Sequence, residues 1–136
     1  MITKLGRALI AAERPILREH GVTMWGYIVL NALDGEPART QAALAGAIGA
    51  DKTRIIPVLD ELQRDGLIDR QPDPEDRRAR LVSITARGRR VREATQTAIQ
   101  RNEDRRLQRL SPADRRVLLR ALEVLAAEAE RPGPSA

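Results

Sequence analysis

Residues 41–65, QAALAGAIGADKTRIIPVLDELQRD, constrain the fold more tightly than any other stretch. Within it, Ala45, Gly49 and Ile55 stand at the spacing Ala-x3-Gly-x5-Ile. A small residue at 45 lets a second helix cross close over a first. A glycine at 49 takes the positive φ of a tight turn at little steric cost. Ile55 then drops into the angle between the helices, over Leu44 and Ile48. This is the shape of a helix-turn-helix, whose second helix commonly enters the DNA major groove. Any antiparallel helix pair with a glycine in its loop shares part of the pattern, so the next segment matters.

Residues 66–85, GLIDRQPDPEDRRARLVSIT, follow at once. Gly66 stops the helix, and Leu67, Ile68 and Arg70 start a short strand. Pro72, Asp73, Pro74 and Glu75 are turn formers. Leu81 to Thr85 is apolar and β-branched enough to return as a second strand. A β-hairpin directly after a recognition-type helix is a wing, and its tip carries Arg77, Arg78 and Arg80. Such a loop can reach the narrow minor groove beside the major-groove helix. A solvated loop would carry the same charges, but the hairpin sits where a wing must sit.

The charge is concentrated in the same place. From Arg70 to Arg92 there are eight arginines against three acids, a local excess as large as the +5 of the whole 136-residue chain. Basic residues gathered on and just after a hairpin suit a polyanion, because neutralising phosphates drives affinity. The chain has no cysteine, which excludes disulfides, thiolate metal sites and thiol-based peroxide sensing. One histidine and no phosphate-binding glycine loop leave no catalytic site to assemble, and no cofactor or metal is expected. No apolar run is long enough to cross a bilayer and residues 1–6 are no signal peptide, so a cytoplasmic protein is expected. Trp25 and Tyr27 are the only aromatics. The core must therefore be aliphatic, and single-strand binding by base stacking is disfavoured.

Elsewhere the pattern is helical. Residues 2–19 carry a loose apolar stripe of Leu5, Leu9, Ile10, Ile16 and Leu17, with Pro15 placed to kink or divide it. Gly21 ends this helix. Thr23 can cap a second helix, 24–33, with Tyr27 or Ile28, Leu30 and Leu33 inward. Residues 34–37 read as a turn. Thr40 and Asp51 are N-cap residues for the two helices of the motif, and Asp51 also suits the helix dipole. After the wing, a helix from Thr85 places Val91, Ala94, Ala98 and Ile99 on one side. Ser111, Pro112 and Asp114 form a strong start for a last helix, 112–129.

The expected fold is mainly α: a winged helix-turn-helix domain over 23–85, with N- and C-terminal helices (1–22 and 86–130) forming a dimerisation region. Residues 131–136 read as a disordered tail. Amphipathic helices at both ends must bury their apolar faces, and a symmetric partner is the economical solution.

The chain resembles the MarR family of bacterial transcription regulators from about residue 5 to 129. The resemblance rests on Gly21-Val22-Thr23 with Trp25, on Gln41-Ala42-Ala43-Leu44-Ala45, and on Asp51-Lys52-Thr53. It continues through Leu62-x3-Gly66-Leu67-Ile68-x-Arg70 and the wing signature Asp76-x-Arg78-x5-Ile84-Thr85 with Gly88. Leu110-Ser111 resembles the start of a closing dimerisation helix. Two departures are Ile84 in place of the usual leucine and Pro57 inside the recognition helix.

With Ile55, Leu59 and Leu62 inward, Thr53, Pro57, Asp60 and Arg64 face outward, with Arg54 and Ile56 on the flanks. Lys52, Thr53 and Arg54 come nearest to DNA: Arg54 suits a guanine, Thr53 a thymine methyl or a phosphate. Lys52 is equally readable as a solvated helix start. Thr40 and Gln41 can donate to a phosphate. Asp76 is read as the partner that orients Arg78. The resemblance implies that Arg78 enters the minor groove, while Arg77 and Arg80 suit phosphates. It also implies a homodimer on a short inverted repeat of double-stranded DNA, acting as a repressor. A small aromatic or anionic effector would bind near Arg14, His20, Met24 and Trp25, although each of those also fits a core or cap position. The competing readings are a winged-helix module used for protein contacts, without operator binding, a purely structural helical dimer, and a DNA-binding activator, which the sequence does not separate from a repressor.

Overall fold

The computed structural model describes residues 1–129. The chain runs α1 (Ile2–Glu19), α2 (Met24–Leu33), β1 (Arg39–Thr40), α3 (Gln41–Ile48), α4 (Lys52–Arg64), β2 (Ile68–Pro72), β3 (Arg80–Ile84), α5 (Ala86–Leu107) and α6 (Pro112–Ala129). It divides into two compact units, Met1–Ile99 and the part from Gln100 onward. The expected disordered tail, 131–136, lies outside the described residues.

Local chemistry sets the helix starts. Thr23 accepts the Gly26 N–H at 3.0 Å, Thr40 that of Ala43 at 3.1 Å, Asp51 that of Arg54 at 2.7 Å and Ser111 that of Asp114 at 3.1 Å. Each cap satisfies one of the amides that a helix leaves unpaired at its first turn. Between α3 and α4, Gly49 takes φ +69°, and the Ala50 N–H reaches back to the Ala45 carbonyl at 3.0 Å. α1 and α4 run on through Pro15 and Pro57, so neither proline divides its helix.

The core of the first unit is aliphatic. Ile55, Leu59 and Leu62 of α4 are buried against Leu44 and Ala45 of α3 and against Val29, Leu30 and Leu33 of α2. Burying each large aliphatic side chain contributes roughly 1.5–3 kcal/mol. Leu30 and Leu33 of α2 are fully buried as expected, Tyr27 packs half-buried on the core, and Val29 joins the fully buried set. On α5, Ala94 is exposed, and Thr95 takes the buried place that periodicity gave to an apolar residue. Its hydroxyl donates to the Val91 carbonyl one turn back at 2.6 Å, so burial leaves no orphaned polar group.

The sheet has the order β1-β3-β2, all antiparallel. The hairpin aligns Ile68 with Ile84, Arg70 with Val82 and Pro72 with Arg80. β2 begins at Ile68 rather than Leu67, and Thr85 has left β3 to cap α5: its hydroxyl accepts the Gly88 N–H at 3.0 Å. β1 has no signature of its own in the sequence. Two residues are too short to show alternation, and their pairing with Val82 and Leu81 is non-local.

One close approach locks the base of the wing. The Thr85 N–H donates to the Leu67 carbonyl at 3.1 Å, and the Thr85 hydroxyl donates to the Gly66 carbonyl at 2.7 Å. A β-carbon at Gly88 would lie 2.1 Å from the Leu67 oxygen and 2.8 Å from Ile84. Only glycine fits there without displacing backbone.

The second unit contains the end of α5 and all of α6. No residue of α6 is buried, and Val117, Leu118, Leu119, Leu122, Val124 and Leu125 are all exposed. Among the described residues no helix is long and apolar enough to cross a membrane.

Candidate nucleic-acid interface

The N-termini of α3 and α4 and the tip of the hairpin surround one open cleft of about 440 Å³. Thr40, the N-cap of α3, and Gln41 enter it from one side, Lys52 and Ile56 from α4, and Asp76, Arg78 and Arg80 from the wing. Three chain segments far apart in sequence thus deliver cations and helix-start donors to one place. Helix N-termini carry the positive end of the peptide dipoles, which adds to the same field. Lys52, Arg78 and Arg80 are exposed and form no ion pair among the described residues. Such a surface can receive a phosphate strand without first breaking an internal bond.

The wing tip is shaped by its acids. The Asp76 carboxylate accepts the Arg78 backbone N–H at 3.0 Å, and the Asp76 carbonyl accepts the Ala79 N–H at 3.0 Å. The Asp73 N–H closes the loop on the Ala79 carbonyl, and the Asp73 carboxylate accepts the Glu75 N–H at 2.9 Å. Asp76 therefore acts on Arg78 through the main chain, not by pairing with its guanidinium, and leaves that group free.

Thr53, Arg54 and Arg77 are exposed but do not line the cleft. The Arg54 guanidinium stands 5.8 Å from the centroid of the Trp25 ring, a cation–π distance. It is therefore held on the α2 side of the recognition helix, the flank opposite Ile56.

The α1–α2 junction holds the remaining residues singled out from sequence. The His20 Nδ1 donates to the Ile16 carbonyl at 2.8 Å, because a carbonyl can only accept, and so caps α1. Met24 packs on the core, Trp25 is half-buried and Arg14 is exposed on α1. None of these four lines the wing cleft.

Two arginines of the basic run are spent inside the fold. Arg70, on β2, donates through Nε to Gln63 at 2.7 Å, pairs with Asp60 and reaches Gln41 at 3.4 Å. One guanidinium thereby ties the wing to the recognition helix and to the start of α3. Arg92, on α5, pairs with Asp34 at 2.7 Å and donates to Gln96 at 3.0 Å, while its Nε is buried without a partner. Counting charges along the chain missed both roles. The acids Asp60 and Asp34 were visible, but their partners lie on other elements.

Comparison with known proteins places this geometry. The sequence pattern of the MarR family matches residues 20–79. The chain is 34% identical over 125 residues to a protein of Thauera aromatica assigned as the transcriptional regulator of the hcr operon, covering 89% of this chain and 75% of that one. Its fold is similar to the PcaV transcriptional regulator of Streptomyces coelicolor in complex with its natural ligand. That match has a TM-score of 0.68 at 31% identity, over 93% of this chain and 92% of that one. It is also similar to the transcriptional repressor CouR bound to a 23-mer DNA duplex, with a TM-score of 0.79 at 26% identity over 92% and 89% of the two chains.

The Arg70 bonds can be weighed directly. Arg70→Met keeps the apolar stem and removes every donor. We expect urea unfolding to show a loss of about 1–3 kcal/mol, the range for bonds to charged groups that are partly screened. Asp60→Asn should lose less. An unchanged midpoint in Arg70→Met would show that the guanidinium does not hold the hairpin.

Proposed function

The chain belongs to the MarR family of DNA-binding transcriptional regulators, and from that premise we propose that it represses transcription as a cytoplasmic homodimer on a short inverted repeat. The observation that carries this reading is the cleft of unpaired cations between the recognition helix and the wing. The duplex would be seated there, its phosphate strand passing the Lys52, Arg78 and Arg80 cations and the major-groove edge of its bases meeting the α4 wall. Lys52 and Thr53 would enter the major groove, and Arg54 would reach a guanine after leaving Trp25. Arg78 would enter the minor groove, where narrow A·T tracts concentrate negative potential. Thr40, Gln41, Arg77 and Arg80 would contact phosphates, which fix register without reading sequence. The activity is recognition, not catalysis.

Arg78→Ala should cost about 1–3 kcal/mol of operator affinity in a gel-shift titration. Wild-type affinity should fall linearly on a log–log plot against salt, with a shallower slope for Arg80→Ala, which removes one phosphate contact. Full-strength binding by Arg78→Ala would remove the wing tip from the interface.

A second copy of the chain supplies the symmetry. α6 exposes a continuous set of leucines and valines, and α1 exposes Ile2, Leu5 and Ile10. An apolar depression of about 420 Å³ lies on α6 between Val117, Ala121, Val124 and Leu125. Burial against a partner covers this surface and sets the two recognition helices about one DNA turn, roughly 34–36 Å, apart. In sedimentation equilibrium the wild type should behave as a dimer. Leu122→Glu should shift it to monomer and weaken operator binding together. A wild type that stays monomeric at high concentration would end the dimer reading.

We propose further that a small aromatic or anionic effector binds at the α1–α2 junction, near Arg14, His20, Met24 and Trp25. The support is a half-buried Trp25 next to the His20 cap of α1, with Arg14 exposed on the same helix, together with the natural ligand held by the similar PcaV regulator. Trp25 is the chain's only tryptophan, so its fluorescence reports on this junction alone. Titration with an aromatic carboxylate should quench that emission and lower operator occupancy. Constant emission into the millimolar range would remove the junction as the site.

A further inference from the structure

Ile56 is exposed, although the apolar residues on either side of its turn, Ile55 and Leu59, are buried. Among the described residues, every other exposed large hydrophobic lies on α6, on α1 or at Met1 just before it. Those side chains lie on the helices proposed above for dimerisation. Ile56 does not: it lines the cleft beside Lys52, Arg78 and Arg80. Lys52 lies one turn before it on the same flank of α4. A lone surface isoleucine is ordinary in itself. What singles this one out is its place among cations on the recognition helix.

A surface that met only phosphates would present donors, and isoleucine has none. In the major groove the distinctive apolar feature of a base edge is the C5-methyl group of thymine. A β-branched side chain in a helix holds one dominant χ1 rotamer, so little freedom is lost when it docks. We propose that Ile56 is a specificity-determining residue, which contacts a thymine methyl in each half-site. This rests on the DNA-binding reading above.

The test uses the full-length protein and a duplex selected by the wild type from a random pool. Each thymine of the selected site is replaced in turn by deoxyuridine, which lacks only the methyl group. At one symmetric position the replacement should weaken wild-type binding about fourfold per half-site, the effect of leaving one methyl group unburied. Ile56→Ala should bind the thymine and deoxyuridine duplexes equally. Alanine is the best helix former, so α4 should persist, which circular dichroism checks. Ile56→Val, which keeps the branched carbon, should retain part of the discrimination. Wild-type binding indifferent to every methyl, or an equal loss in Ile56→Ala, would overturn the assignment while DNA binding stands. A wild type that enriches no duplex would overturn the DNA reading as well.

Discussion

The junction of Gly66 and Leu67 with Thr85 and Gly88 holds the recognition helix, the wing and α5 in one arrangement. Two consecutive carbonyls at the end of α4 are taken by the amide and the hydroxyl of a single threonine. The same threonine then caps the next helix, and the glycine one turn on lets α5 lie against the Leu67 carbonyl. No element here has much stability alone. A two-stranded hairpin is marginal in water, and a helix of thirteen residues is near the limit for isolated stability. Sharing hydrogen bonds at the base of the wing lets each element borrow rigidity from the others. The Arg70 guanidinium adds a second fixed point farther out along β2.

This arrangement divides the arginines by purpose. Those at the wing tip and in the cleft are exposed and unpaired, while Arg70 and Arg92 are largely buried and bound to carboxylates. A buried guanidinium is worth keeping when its fork of donors satisfies several acceptors at once. Arg70 meets that condition by bonding to three side chains, Gln41, Asp60 and Gln63. Arg92 meets it less fully, with Nε left over. The field offered to a polyanion is correspondingly smaller than the linear charge count of the segment suggests, but better placed.

What the sequence made legible was local. Thr23, Thr40, Asp51 and Ser111 each bond to an amide three residues away, so cap and partner fall inside one short window. The inward face of α4 followed from helical spacing alone. The hairpin followed from its turn formers. The convergence of Thr40, Gln41, Lys52, Asp76, Arg78 and Arg80 on one cleft needed the tertiary fold, yet each had been singled out from its own segment. What stayed hidden was non-local or chemically ambiguous. β1 exists only because β3 passes beside it. Thr95 is buried because it can bond to its own helix, which hydropathy does not reveal. The roles of Arg70 and Arg92 depend on partners brought in by folding.

The stacking of Arg54 on Trp25 has a thermodynamic consequence. A base that recruits Arg54 must lift it from the indole, and a molecule that covers the indole competes for the same ring. The two events draw on one side-chain pair. By linkage each event lowers the cost of the other, so the release of DNA proposed for an effector has to arise elsewhere in the dimer and outweigh this contact. Such a coupling works through the vacancy of one aromatic face and calls for no displacement of the main chain.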